Sequence, residues 1–151
     1  MQKNSQKQNQ LEVKNIVEEC KKNNIKITKR REVVIKAILD LNNNNQHPDT
    51  EEIYFHAKKE DESASIATVY RFLAELDEKK LIEKHNFDNN KARYEFSNSL
   101  NHHDHLIDIE TGDIIEFFNQ EIENLKEKIA NDHGYKLIDH RLELKCVKIK
   151  K

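Results

Sequence analysis

A chain of 151 residues with 36% hydrophobic and 36% charged positions suits one or two small domains and lacks the apolar material for a large enzyme core. Its apolar runs are only a few residues long where a bilayer span needs about 20, and its polar first ten residues lack the apolar stretch of a secretory signal, so a cytoplasmic protein with a frayed tail over residues 1–10 is expected. The net charge of -2 is unevenly spread: Lys21, Lys22, Lys26, Lys29, Arg30 and Arg31 form a cationic cluster near the start, and the chain after Arg93 is acidic. That local patch suits a phosphate backbone, whereas the overall pI of about 6.5 argues against a strongly basic nucleic-acid binder.

Leu11, Val13, Ile16, Val17 and Cys20 recur at helical spacing, and Asn23 and Asn24 can end that first helix in the left-handed conformation. Thr28 then caps a second helix through Val33, Val34, Ile35, Ala37, Ile38 and Leu41, which stops in the Asn42–Asn45 run. Asp49 or Thr50, after Pro48, opens a third helix, with Glu51 and Glu52 at its positive end. Ser63 or Ser65 opens a fourth, whose buried stripe is read as Ile66, Val69, Leu73 and Leu76. Ala67, Thr68 and Arg71 then project away from the stripe and Tyr70 flanks it, a surface of small, hydrogen-bonding and cationic groups suited to a DNA groove or simply to water. Two strands, Leu81–Phe87 and Ala92–Phe96, follow around an Asn89-Asn90 turn. Helices followed by a hairpin make a winged helix-turn-helix, here over residues 11–97, in which the last helix enters the major groove.

Residues 98–151 read differently: strands at about 102–109 and 113–117, a helix over 119–133 with the stripe Phe118, Ile122, Leu125, Ile129 and a stop at Gly134, and a strand from Tyr135 onward. In that last strand Ile138, His140, Leu142, Leu144 and Cys146 share one face. So few strands are best completed across a two-fold axis, which predicts a homodimer, with a tetramer left open. The fold class expected is therefore α+β, a winged helix followed by an α/β dimerisation and sensing domain.

Eight histidines exceed what packing needs, and three fall in His102-His103-Asp104-His105. On a strand, His103 and His105 share one face while His102 and Asp104 share the other, so one segment offers ligand pairs in two directions. Imidazole with carboxylate suits iron(II), manganese, zinc, cobalt or nickel. His47, Glu95, Glu116, Glu123 and His140 are candidates to complete the shells; singly, each is also readable as a solvated or core side chain. The two cysteines, Cys20 and Cys146, stand far apart and read as apolar fillers.

These residues resemble the ferric uptake regulators, metal-responsive bacterial repressors. The resemblance covers about residues 24–147 and is carried by Ile25-Lys26-Ile27-Thr28 with Arg31, Ala67-Thr68-Val69-Tyr70-Arg71, His85-Asn86-Phe87, His102-His103-Asp104-His105-Leu106-Ile107 and Gly112 through Ile115-Glu116-Phe117. It implies a regulatory metal site of His47, Glu95, His103, His105 and Glu116, and a second site of His102, Asp104, Glu123 and His140. It also implies that Thr68, Tyr70 and Arg71 read operator DNA, that Lys26 reaches the minor groove and that Arg31 contacts phosphate. The implied function is a repressor of metal-uptake genes that binds palindromic double-stranded operator DNA as a dimer when loaded with iron(II) or manganese(II), zinc(II) being able to substitute in vitro. Many members hold a structural zinc with a CxxC pair; here Asp108-Ile109-Glu110-Thr111 stands in its place, so no cysteine-ligated zinc is expected, as in the alphaproteobacterial iron- and manganese-responsive branch. The rival readings are a metal-dependent hydrolase with Glu116 as general base, and a metal buffer or protein-interaction module.

Overall fold

The computed structural model describes residues 2–44, 46–86, 91–97 and 103–150. Two compact units divide the chain, Met1–Ser97 and Asn98–Lys151. The first carries helices α1 (Gln2–Lys22), α2 (Lys29–Asn43), α3 (Thr50–Glu60) and α4 (Ile66–Glu78) and the antiparallel strands β1 (Ile82–Asn86) and β2 (Ala92–Phe96). The second carries strands β3 (Asp104–Asp108) and β4 (Ile114–Phe117), helix α5 (Gln120–Asp132) and strand β5 (Glu143–Cys146).

Helices α2, α3 and α4 each start where a side chain relieves their orphan amides. The Thr28 hydroxyl accepts from the Arg31 amide at 3.3 Å, and the Ser65 hydroxyl accepts from the Thr68 amide at 3.2 Å. Asp49 and Glu52 form a full capping box at α3, each carboxylate accepting from the other's backbone N–H at 2.9 Å. Asn24 takes a φ of 60° just after α1, and the Ile25 amide turns back to the Cys20 carbonyl at 2.9 Å. Ile25, Val34, Ile35, Ile38, Ile53, Phe72, Leu73, Leu76 and Ile82 are buried together with Cys20. Burial pushes the Cys20 thiol up to about 11, so it stays protonated and packs as an apolar group.

Two expectations for this unit need correction. The first helix begins at Gln2, not near Leu11: residues 2–10 hold no proline or glycine to stop a helix, and Asn9 donates to Asp40 of α2. On α4 the buried stripe is Val69, Phe72, Leu73 and Leu76, while Ile66 is exposed, because as the first helical residue it lies at the end of the packed surface. Phe87 and the Asn89-Asn90 turn lie outside the described residues.

In the second unit β3 is central, pairing antiparallel with β4 and parallel with β5, in the order β4-β3-β5. Asn119 caps α5, and Gly134 takes a φ of 81° just beyond its end. The strand expected from Tyr135 starts only at Glu143. β3 spans five residues, so its ladder pairs only residues 143–146, with one further bond from the His105 amide to the Leu142 carbonyl, and the stretch before that forms neither helix nor strand. Ile138 is accordingly 85% exposed, and among described residues of this unit Ile107 is the one buried hydrophobic side chain. No helix among the described residues is long and apolar enough to cross a membrane.

Candidate metal centres and recognition helix

The first unit gathers His47, Glu83, His85 and Glu95. The β1–β2 register sets Glu83 directly opposite Glu95, and the two-residue period of a strand puts His85 on the same face as Glu83. The His85 imidazole stands 3.6 Å from each of the two carboxylates, and the donor atoms of Glu83, His85 and Glu95 lie within 4.8 Å of one another. Like charges directly opposite across a hairpin repel, so this pair calls for a shared positive partner. His47 approaches Glu95 from the segment before α3, Nε2 to Oε2 at 2.9 Å, and His47, His85 and Glu95 are all buried.

That segment is tied to β2 through two of its carbonyls. The Arg93 guanidinium donates to the His47 carbonyl at 2.9 Å, and the Tyr94 amide donates to the Pro48 carbonyl at 2.9 Å. Asn42, read from sequence only as part of a turn, uses its carboxamide as a strand edge: Nδ2 donates to the Tyr94 carbonyl and Oδ1 accepts from the Phe96 amide, both at 3.2 Å. The two bonds bracket Glu95. Neither Asn42 nor the pair Glu83 and His85 was singled out from sequence as part of a site, although Glu83 and His85 carry a legible signal in their i, i+2 spacing beside the strand that bears Glu95.

In the second unit His105 on β3 pairs with Glu116 on β4 in the sheet register. His103, just before β3, brings Nε2 to 3.3 Å from Glu116 Oε1, and the His103 and His105 rings lie 5.0 Å apart, edge to face. The opposite face of β3 carries Asp104, whose donor atoms lie within 4.8 Å of those of Glu123 and His140. His140 Nε2 is 3.1 Å from Glu123 Oε2. The Lys126 ammonium donates to both Asp104 oxygens at 3.1 Å and to Glu123 Oε1 at 3.2 Å. His102, the remaining member of the expected second site, lies outside the described residues. Neutral imidazole nitrogens with carboxylate oxygens, and no thiolate, fit borderline divalent cations such as manganese(II), iron(II) and zinc(II).

Helix α4 turns Ala67, Tyr70 and Arg71 outward, with Tyr70 53% exposed, while Thr68 is half-buried and shares a 2.9 Å hydrogen bond with the Ser65 hydroxyl. Lys26 is exposed in the segment before α2. Arg31, expected to contact phosphate, is also engaged within the unit: it pairs with Glu75, donates to the Lys26 carbonyl at 2.9 Å and stacks over the Phe72 ring at 4.9 Å. It braces α2, α4 and the segment that carries Lys26.

Comparison with known proteins agrees with this picture. The sequence model of the ferric uptake regulator family matches residues 22–145. The ferric uptake regulation protein of Rhizobium leguminosarum bv. viciae is 42% identical over 138 residues, covering 91% of this chain and 94% of that one. Among solved structures, a zinc-bound manganese uptake regulator is 38% identical with a TM-score of 0.64, over 91% of this chain and 99% of that one. The ferric uptake regulator of Pseudomonas aeruginosa with manganese is 33% identical with a TM-score of 0.75, over 88% and 97%.

Proposed function

The chain belongs to the ferric uptake regulator family and is a metal-responsive transcriptional regulator; on that premise we propose which of its residues sense metal and which read DNA. The regulatory ligand set is His47 and Glu95 from the first unit with His103, His105 and Glu116 from the second. A bound divalent cation, manganese(II) or iron(II) in the cell and zinc(II) in vitro, supplies two positive charges and a fixed arrangement of ligands. His47 and the hairpin carboxylate Glu95 hold the DNA-binding unit to that arrangement, and His103, His105 and Glu116 hold the sensing unit to it. The observation that carries the reading is the grouping of these residues inside each unit, with His47 at 2.9 Å from Glu95 and His103 at 3.3 Å from Glu116.

Arg71 and Tyr70 on the exposed face of α4 contact base edges, with Thr68 beside them, Lys26 reaches the minor groove and Arg31 contacts phosphate. The regulator works in the cytoplasm as a homodimer on palindromic double-stranded operators, with its recognition helices about 34 Å apart or a multiple of it. The dimer forms through the second unit, whose apolar side chains Ile115, Phe118, Leu125, Ile129 and Leu144 are exposed in the single chain. A unit this small, with so thin a core, needs a partner to bury them. The hydrolase and buffer readings gain nothing from the comparisons.

Fluorescence anisotropy on an AT-rich palindromic operator, with chelated protein titrated with manganese(II) at fixed salt, tests the reading. Wild type binds only with metal. Arg71→Ala loses operator binding and keeps metal affinity, and His105→Ala loses both together. Full operator binding by His105→Ala at low metal would sink the proposal.

A further inference from the structure

The cluster on the far face of β3 differs in one respect from a plain cation site. Asp104 is 1% exposed, and Glu123 is largely buried beside it. Two carboxylates removed from water need a compensating charge. Lys126, one turn along α5 from Glu123, already provides it: its Nζ lies 3.1 to 3.2 Å from three carboxylate oxygens, and its side chain is only 18% exposed.

We propose that the Asp104, Glu123 and His140 cluster of this protein is closed by its own lysine, so that the Lys126 ammonium takes the place of a cation. The cluster stays metal-free at concentrations that load the regulatory set. The inference rests on the ligand assignment above and specifies how its second site behaves.

Two consequences follow from charge alone. With neutral His140, the two carboxylates and the ammonium leave one net negative charge where the same cluster without Lys126 would present two. A divalent ion using the same oxygens must either sit within a few ångströms of that ammonium or expel it from a largely buried position, and like charges at such range repel strongly away from bulk water. The lysine also links α5 to β3 permanently. The sensing unit then keeps this tie whatever the metal supply, and the regulatory set alone reports on metal.

The test is a count of bound ions by equilibrium dialysis against manganese(II), followed by elemental analysis of the dialysed protein, with circular dichroism confirming that each variant is folded. Wild type should hold one ion per subunit, lost in His105→Ala and retained in His140→Ala. Lys126→Gln, which keeps a hydrogen-bond donor and removes the charge, should gain one further ion with affinity at least about tenfold higher than wild type shows for a second ion. That extra ion should vanish when His140→Ala is added. Lys126→Arg, which preserves the charge, should retain the wild-type count.

A wild-type protein that takes a second ion at comparable concentration, lost on His140→Ala, overturns the inference, and so does a folded Lys126→Gln protein that gains none. These two failures are independent, since the wild-type count decides the matter even where the glutamine variant does not fold. If wild type holds no ion and Lys126→Gln holds one, the regulatory assignment fails while the lysine closure stands.

Discussion

Glu95 owes its position to side chains that do not bind metal in the proposed scheme. Its strand is held on one side by β1 and on the other by the Asn42 carboxamide, which bonds to the backbone of both of its neighbours. Each such bond contributes about 1 kcal/mol net, so Asn42→Ala is expected to destabilise the first unit by about 2 kcal/mol in urea unfolding of the metal-free protein. It should also weaken manganese binding, since Glu95 is left on a strand edge with one fewer restraint; an unchanged metal affinity would show that β1 alone positions it. Arg31 illustrates the converse. Besides the phosphate contact its place in a basic run suggests, its pairing with Glu75 and its stacking on Phe72 make it a brace between helices.

The turn between β3 and β4 shows how one side chain closes an element. Asp108 accepts the amides of Glu110 at 2.9 Å and Thr111 at 3.3 Å, and Gly112 donates to its carbonyl at 2.8 Å. These hydrogen bonds, the Glu110 amide foremost, hold the Asp108 carboxyl below the usual carboxylate range. A carboxyl whose folded value is lowered stabilises the fold above its unfolded value, near 3.9, and loses that contribution as the pH falls through the folded value. Asp108→Ala should therefore lower the thermal midpoint of chelated protein at pH 7, and the gap from wild type should narrow as the pH is taken below 4. A gap that is constant with pH would mean that the side chain acts through packing and not through its charge. Elements whose ends are set by local chemistry, such as the Thr28, Asp49 and Ser65 caps, were legible in the sequence, whereas β5 was not. Alternation from Ile138 to Cys146 reads as one long strand, but strand length depends on the partner, and β3 pairs with only four of those residues.

At the scale of the molecule, the exposed apolar residues of the second unit are the largest unsatisfied feature. Leu125 and Ile129, one turn apart on α5, are each more than half exposed. If they meet a second copy, Leu125→Glu should shift sedimentation at micromolar protein from dimer towards monomer and lower operator affinity by at least about tenfold, because two half-sites are then no longer engaged together. A variant that stays fully dimeric would place the interface elsewhere. Periodicity, caps and the His-rich segment were enough to read the two-part α+β organisation, helix α4 with its outward face and most of the residues the fold groups as candidate ligands, since each depends on residues within one element or one turn. The partners of those residues were decided only by the tertiary fold: Asn42 on the flank of β2, Glu83 facing Glu95 across a hairpin, Arg31 drawn to Glu75 and Lys126 seated between Asp104 and Glu123. Three of these four join positions well separated in the chain, and the fourth links Lys126 both to Glu123 on its own helix and to a strand 22 residues away. Spacing along a sequence carries the period of a helix or strand, but not the packing that brings a charge on one element to its counter-charge on another.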